Sequence, residues 1–180
     1  ENDFIKELTI FQKAGKLVKI SDVFNINQGA LLGVKNVFKI SPEMYSDLKE
    51  FEQKNFRPVL TNSSIKSGKI SILEYVWFPY DVNGPIFSDE SSLKDIEFYN
   101  NILLPNKPIL EKRSGIAQWW LLTRPRNWQF TRLPRLFSNR FGNSNSFAFD
   151  KSGNCIIEEG NAFIPKKEIP ISDYYFYLSC

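Results

Sequence analysis

The chain has 180 residues, 42% of them hydrophobic and 15% aromatic, with a formal charge of +3. That suffices for one packed domain, or one domain with a small appendage, and is too apolar for a disordered tail. There is no histidine, and the two cysteines, Cys155 and Cys180, lie far apart, which excludes Ser-His-Asp and Cys-His catalysis, the usual zinc patterns and a disulfide framework. No apolar run reaches the length of a membrane span and no signal peptide opens the chain; a cytoplasmic location is expected.

In chain order, residues 1–15 place Phe4, Ile5, Leu8 and Phe11 on one helical face, with Gly15 as the stop. This reads as a lead-in helix or linker from an upstream domain. Residues 16–180 read as a single domain whose last helix is cut short. Leu17–Ile20 and Val23–Asn27 have the character of short strands. Gly29 and Gly33 then punctuate a loop that lacks the Gly-Lys-Ser/Thr ending of a phosphate loop. It is either a plain hairpin or a place where backbone approaches a partner closely. Ser41-Pro42-Glu43 is a helix start, and the helix is expected to run to about Lys54.

Arg57–Leu60 is expected as an edge strand because of Pro58. Lys69–Tyr80 alternates and then turns aromatic, as a strand of a β-rich core does. Ser91 or Ser92 is placed to cap a helix carrying Leu93, Ile96, Tyr99 and Leu103, continued from Pro105 to Lys112. Phe147–Ile157 has the form of a hairpin around Ser152-Gly153. Asn161–Ile164 is another strand, and Asp173 opens a final helix. Neither a regular βαβ alternation nor a repeat is present, so the expected class is α+β. It is β-rich, with mixed short strands in a twisted or barrel-like sheet and two or three peripheral helices.

The most distinctive stretch is Lys112–Phe149. It holds six of the seven arginines of the chain and no acidic residue, with Trp119, Trp120, Trp128, Phe130, Phe137 and Phe141 set among them. Arginine matches phosphate oxygens and the guanine edge as a rigid fork, and asparagine or glutamine matches adenine. A cluster of this kind suits a nucleic-acid surface; the alternative is a half-buried sheet with a solvated basic face. The base-reading candidates are Arg124, Arg126, Asn127, Gln129 and Arg132, with Asn139, Arg140, Asn143 and Asn145 as a second group. Lys35, Asn36, Lys66 and Lys69 are candidates for phosphate or base contact. The tryptophans are either core residues or stacking platforms. Asp47-Leu48-Lys49 and Glu52-Gln53-Lys54 carry the acid-x-lysine part of a nuclease site, but on a helix, where such spacing is ordinary.

The order of landmarks resembles the TaqI-like C-terminal specificity domain of adenine-N6 DNA methyltransferases and fused type II restriction–modification enzymes. Gln28-Gly29 with Gly33, Asn36 and Phe38 is similar to one family segment, although Leu32 stands where threonine is common. Arg57-Pro58-Val59-Leu60, Ile65-Lys66 and Tyr75–Tyr80 resemble a second. Trp119 or Trp120 with Leu122, Arg124 and Pro125-Arg126, followed by Pro134-Arg135-Leu136, resembles a third, and Tyr174–Leu178 the start of a closing helix. The resemblance implies a domain that reads double-stranded DNA. Its partner is a catalytic methyltransferase domain of the same parent chain, which binds S-adenosylmethionine and flips out the target adenine. No Asn/Asp-Pro-Pro-Tyr/Phe segment and no cofactor loop occur here, so this fragment is expected to hold no cofactor, no metal and no catalytic residue. A β-rich module binding protein or single-stranded nucleic acid through its aromatics is the alternative.

Overall fold

The structure, a computed structural model, describes residues 6, 9–11, 13–15, 18–66, 68–140 and 146–179. The expected lead-in helix lies mostly outside these residues, though Lys6, Thr9–Phe11 and Lys13 are helical. A helical turn, α1 (Ile20–Val23), replaces the first expected strand: the Asp22 carboxylate accepts the Lys19 N–H and closes the turn. It leads into β1 (Phe24–Gln28). After the glycine loop come α2 (Lys35–Phe38) and β2 (Lys39–Ile40).

The helix expected from Ser41 to Lys54 is broken into α3 (Pro42–Asp47) and α4 (Glu50–Gln53). Its start is as the sequence indicates, with Ser41 Oγ accepting the Met44 N–H at 3.3 Å. The break falls at Leu48 and Lys49, both extended. There Gln53 Nε2 donates to the Tyr45 and Leu48 carbonyls, satisfying acceptors that a continuous helix would have used.

β3 (Phe56–Leu60), the hairpin of β4 (Ile65–Lys66) and β5 (Lys69–Ile70), β6 (Glu74–Trp77), and the hairpin of β7 (Tyr80–Asp81) and β8 (Gly84–Pro85) follow. β3 is not the edge strand expected from Pro58. Among the described strands it lies inside a sheet of order β11-β3-β6-β2. Pro58 is tolerated because β11 pairs only with Val59 and Leu60, so no ladder bond is asked of its missing N–H.

A helical run from Glu97 to Leu110 changes winding three times. A π turn (Tyr99–Leu103) passes through a 3₁₀ turn around Pro105 into α5 (Lys107–Leu110). The cap is remote rather than local: the fully buried Glu52 carboxylate accepts the Glu97 and Phe98 N–H groups at 2.8 and 3.2 Å. That use commits one of the two acid-x-lysine acids to structure.

β9 (Arg135–Ser138), β10 (Phe147–Asp150), β11 (Ile156–Ile157), β12 (Asn161–Pro165) and α6 (Ile171–Ser179) complete the chain. The expected Phe147–Ile157 hairpin does not close. β10 stays in the antiparallel sheet β1-β12-β9-β10, while β11 crosses to pair parallel with β3. The crossing is fixed by side chains: Arg57 binds the Gly153 and Asn154 carbonyls, and Arg135 also binds Gly153.

The class is therefore mixed α+β as expected, but the small sheets do not close into a barrel. The largest core surrounds Trp77, with Phe38, Phe56, Phe78, Leu103, Trp119 and Trp120. Smaller cores lie on the two faces of the β1-β12-β9-β10 sheet, one around Phe137 and Ala162, the other around Phe24, Leu136 and Tyr174. Trp77, Trp119 and Trp120 are thus core residues, and fully burying a side chain of this kind contributes about 1.5–3 kcal/mol. Among the described residues no helix is long and apolar enough to cross a membrane.

Candidate nucleic-acid interface

Two segments distant in sequence meet at the free edge of β1. Gly29 comes so close to the 157–158 backbone that an added Cβ would stand 2.7 Å from the Ile157 carbonyl oxygen and 2.5 Å from that of Glu158. Only glycine fits this approach. Leu31 then forms a two-bond bridge with Arg124, each N–H···O at 2.9 Å. Gly33 has φ +96°, and its Cα abuts Thr123 and the Arg113 side chain, where a Cβ would collide. Gly29 thus holds the loop against the 157–158 backbone and Gly33 holds it against the arginine-rich segment.

Arg113 and Arg135 face inward. Arg113 donates to the carbonyls of Leu110, Leu32, Leu121 and Trp119 and sits over the Phe38 ring. Arg135, fully buried, donates to the Leu133, Thr131 and Gly153 carbonyls and lies 5.2 Å from the Trp128 ring centroid. Arg57, outside the cluster in sequence, joins Arg135 in space. Burial first, then the Arg135 and Arg132 guanidiniums, lower its pKa to about 9, which leaves it cationic at neutral pH. Asp150 is their acidic neighbour, 4.0 Å from Arg135 Nε. The sequence carried no sign of this buried pair beyond Arg57 preceding a proline.

What remains at the surface is narrower than the whole cluster. A cleft of about 230 Å³ is lined by Gln28, Gly29, Ala30, Leu31, Arg126, Arg140 and the Glu158–Asn161 turn. Arg126 is its best-defined cation. Among the described residues it is the one non-glycine with positive φ, at 64°. Such a backbone costs on the order of 1–3 kcal/mol and persists only where the surroundings impose it. Its Nε donates to the Gly29 carbonyl at 3.1 Å, and no hydrogen bond within the described chain uses its two Nη groups. The guanidinium is thus held at Nε in the wall of the cleft.

Arg124, Asn127 and Arg132 are exposed beside this segment, but none lines the cleft. Gln129 is not a surface group. It is fully buried, with Nε2 donating to the Pro125 and Ile157 carbonyls and Oε1 accepting the Ile157 N–H at 2.7 Å. Its place as a base reader is therefore corrected to that of a structural amide. Asn139 is half-buried, its Oδ1 enclosed without a hydrogen-bond partner among the described residues. Asn143, Asn145 and the side chain of Lys35 lie outside what the structure describes. Asn36 is exposed on α2. Lys66 and Lys69 are exposed and directly paired across the β4–β5 hairpin. The Gly68 end of that hairpin packs near the Phe147 carbonyl on β10, the opposite edge of the sheet from β1.

The expected absence of carboxylates does not hold in space, because Glu158 and Glu159 share the cleft with Arg126 and Arg140. Lys39 Nζ lies 3.4 Å from Glu158 Oε2 and 2.7 Å from Glu74 Oε2. The surface is of mixed sign, suited to groups that both donate and accept. Among the described residues no cluster of three or more acids or cysteines could hold a metal ion.

No family model and no curated protein matches the chain. Among solved structures it is similar to that of the type IIL restriction–modification enzyme MmeI in complex with DNA, with a TM-score of 0.56 at 12% sequence identity. The match covers 83% of this chain and 20% of that one, so the chain spans about a fifth of that enzyme's length. At that identity the likeness is one of fold: the chain shares its architecture with one part of a restriction–modification enzyme.

Proposed function

We propose that the chain is a target-recognition domain of a restriction–modification enzyme: a module that reads sequence in double-stranded DNA and carries no catalytic residue. The observation that carries the reading is the Arg126 guanidinium, anchored at Nε by the Gly29 carbonyl in the wall of an open cleft. A fork held this way suits guanine O6 and N7. Arg124, Arg132, Lys66 and Lys69, exposed on the flanks, would contact phosphates and set the register.

The shared fold with a solved restriction–modification enzyme supports this reading, as does the resemblance of Gln28–Phe38, Arg57–Tyr80 and Trp119–Arg126 to TaqI-like specificity segments. The parent would be an adenine-N6 methyltransferase, alone or fused to a type II nuclease, working in the cytoplasm. S-adenosylmethionine would be bound by a catalytic domain of the same chain.

The test is a titration of one duplex and its single strand at two salt concentrations. Duplex affinity is expected to exceed single-strand affinity and to fall steeply with salt, with a log–log slope of about −0.9 for each phosphate contact. Arg126→Ala is expected to retain duplex binding and lose sequence preference at the base pair that Arg126 contacts. Equal binding of both strand forms, insensitive to salt, would favour the aromatic interaction module instead.

A further inference from the structure

The same end of the antiparallel sheet carries side chains that neither the arginine cluster nor the glycine loop accounts for. Gln28 and Asn161 are direct partners in the β1–β12 register, so they share a face with Cβ atoms about 5 Å apart. Both line the cleft beside Arg126. Gln28 gives only its backbone carbonyl to the fold, accepting from Trp128 Nε1. Neither carboxamide makes a hydrogen bond among the described residues, not even with the other. Each therefore offers an N–H₂ donor and a carbonyl acceptor side by side.

The row extends across the sheet, since Asn161 also pairs with Ser138, and Ser138 with Phe147. The Lys66–Lys69 hairpin follows beyond Phe147. The three strand spacings from β1 to β10 make roughly 14 Å, and the hairpin lies beyond them, so the span exceeds the roughly 12 Å of a B-DNA major groove. The lysines thus fall where a phosphate backbone runs when the cleft end lies over the groove. Glu158 and Glu159 in the cleft disfavour a phosphate there and tolerate base edges that carry amino donors.

We propose that Gln28 and Asn161 read adenine in the major groove immediately beside the base pair contacted by Arg126, so that the recognised site contains an A·T pair adjoining a G·C pair. This rests on the cleft being the DNA face. A carboxamide matches adenine N6 and N7 in a bidentate pair, and a second one about 5 Å away can donate to thymine O4 of the same pair.

The experiment is selection of duplexes from a randomised library by the 180-residue chain at low salt, followed by sequencing. The parent is expected to enrich a motif with G next to A. Q28A and N161A should keep the G and lose the A preference by roughly 5- to 150-fold, whereas R126A should do the reverse. Circular dichroism checks that each variant folds; Q28A changes an exposed side chain on a sheet edge and is the decisive one. A parent motif without that A, or Q28A enriching the parent motif unchanged, overturns this inference while leaving the cleft as a DNA face. A parent that enriches no motif and binds single strands equally overturns both.

Discussion

Arg57 and Arg135 converge on one acceptor, the carbonyl oxygen of Gly153, from opposite sides of the β10–β11 crossing. Two buried guanidiniums thereby organise the turn that sends β11 into the second sheet. Asp150 is the carboxylate beside them, and it also accepts the Cys155 N–H at 3.0 Å and the Ser152 hydroxyl at 2.8 Å.

Removing Asp150 leaves two buried cations without their counter-charge and two donors without an acceptor. Asp150→Ala is expected to lower unfolding free energy by about 3–5 kcal/mol, measured by urea denaturation. Lys49→Ala, which breaks the exposed Lys49–Glu97 pair, should leave the urea midpoint unchanged within error.

Gln129 and Arg126 are three residues apart and should respond oppositely. Gln129→Ala opens a void and strands the Ile157 N–H, with an expected cost of about 2–3 kcal/mol. In duplexes that the folded variant still binds, sequence preference should persist. A lost preference without lost stability would return Gln129 to the DNA face.

Arg126→Gly removes both the side chain and the backbone strain at φ 64°. Compared with Arg126→Ala, which keeps the strain, the glycine variant should be more stable by about 1 kcal/mol. Both should lose the same sequence preference. Thermal melts compare the stabilities, and binding to a library of duplexes compares the preferences.

Cys155 gives a pH signature. Burial first, then the Asp150 charge, push its thiol up to about 12 from 9.0. The folded state therefore keeps a proton that the unfolded chain releases. The stability this supplies is complete below about pH 9 and is lost as pH rises toward 12. Arg57, lowered to about 9 from 12.5, acts with the opposite sign, since there the unfolded chain holds the extra proton. Cys155→Ala removes only the first effect. The variant should lose less stability per pH unit above pH 9, by up to about 1.4 kcal/mol, in urea melts at a series of pH values.

Periodicity and capping chemistry made some local elements legible. Ser41-Pro42 marked a true helix start, and Asn161–Pro165 and the final helix lie close to where their patterns put them. Elements whose ends depend on remote groups were not legible. The Ser41–Lys54 helix breaks where Gln53 folds back onto it, and the run at Glu97 is capped by Glu52 from 45 residues away.

The sequence by itself excluded histidine chemistry and gathered arginine and amide groups into one stretch, with glycine loops and short strands around it. Only the tertiary structure decided which of those groups face outward. Arg113, Arg135 and Gln129 carry the same kinds of polar group, guanidinium and carboxamide, as their exposed neighbours Arg124 and Asn127. What turns them inward is the set of carbonyls of Leu32, Gly153 and Ile157, whose hydrogen bonding these side chains complete inside the fold. Those carbonyls come from segments far away in the chain, and no local pattern encodes their arrival.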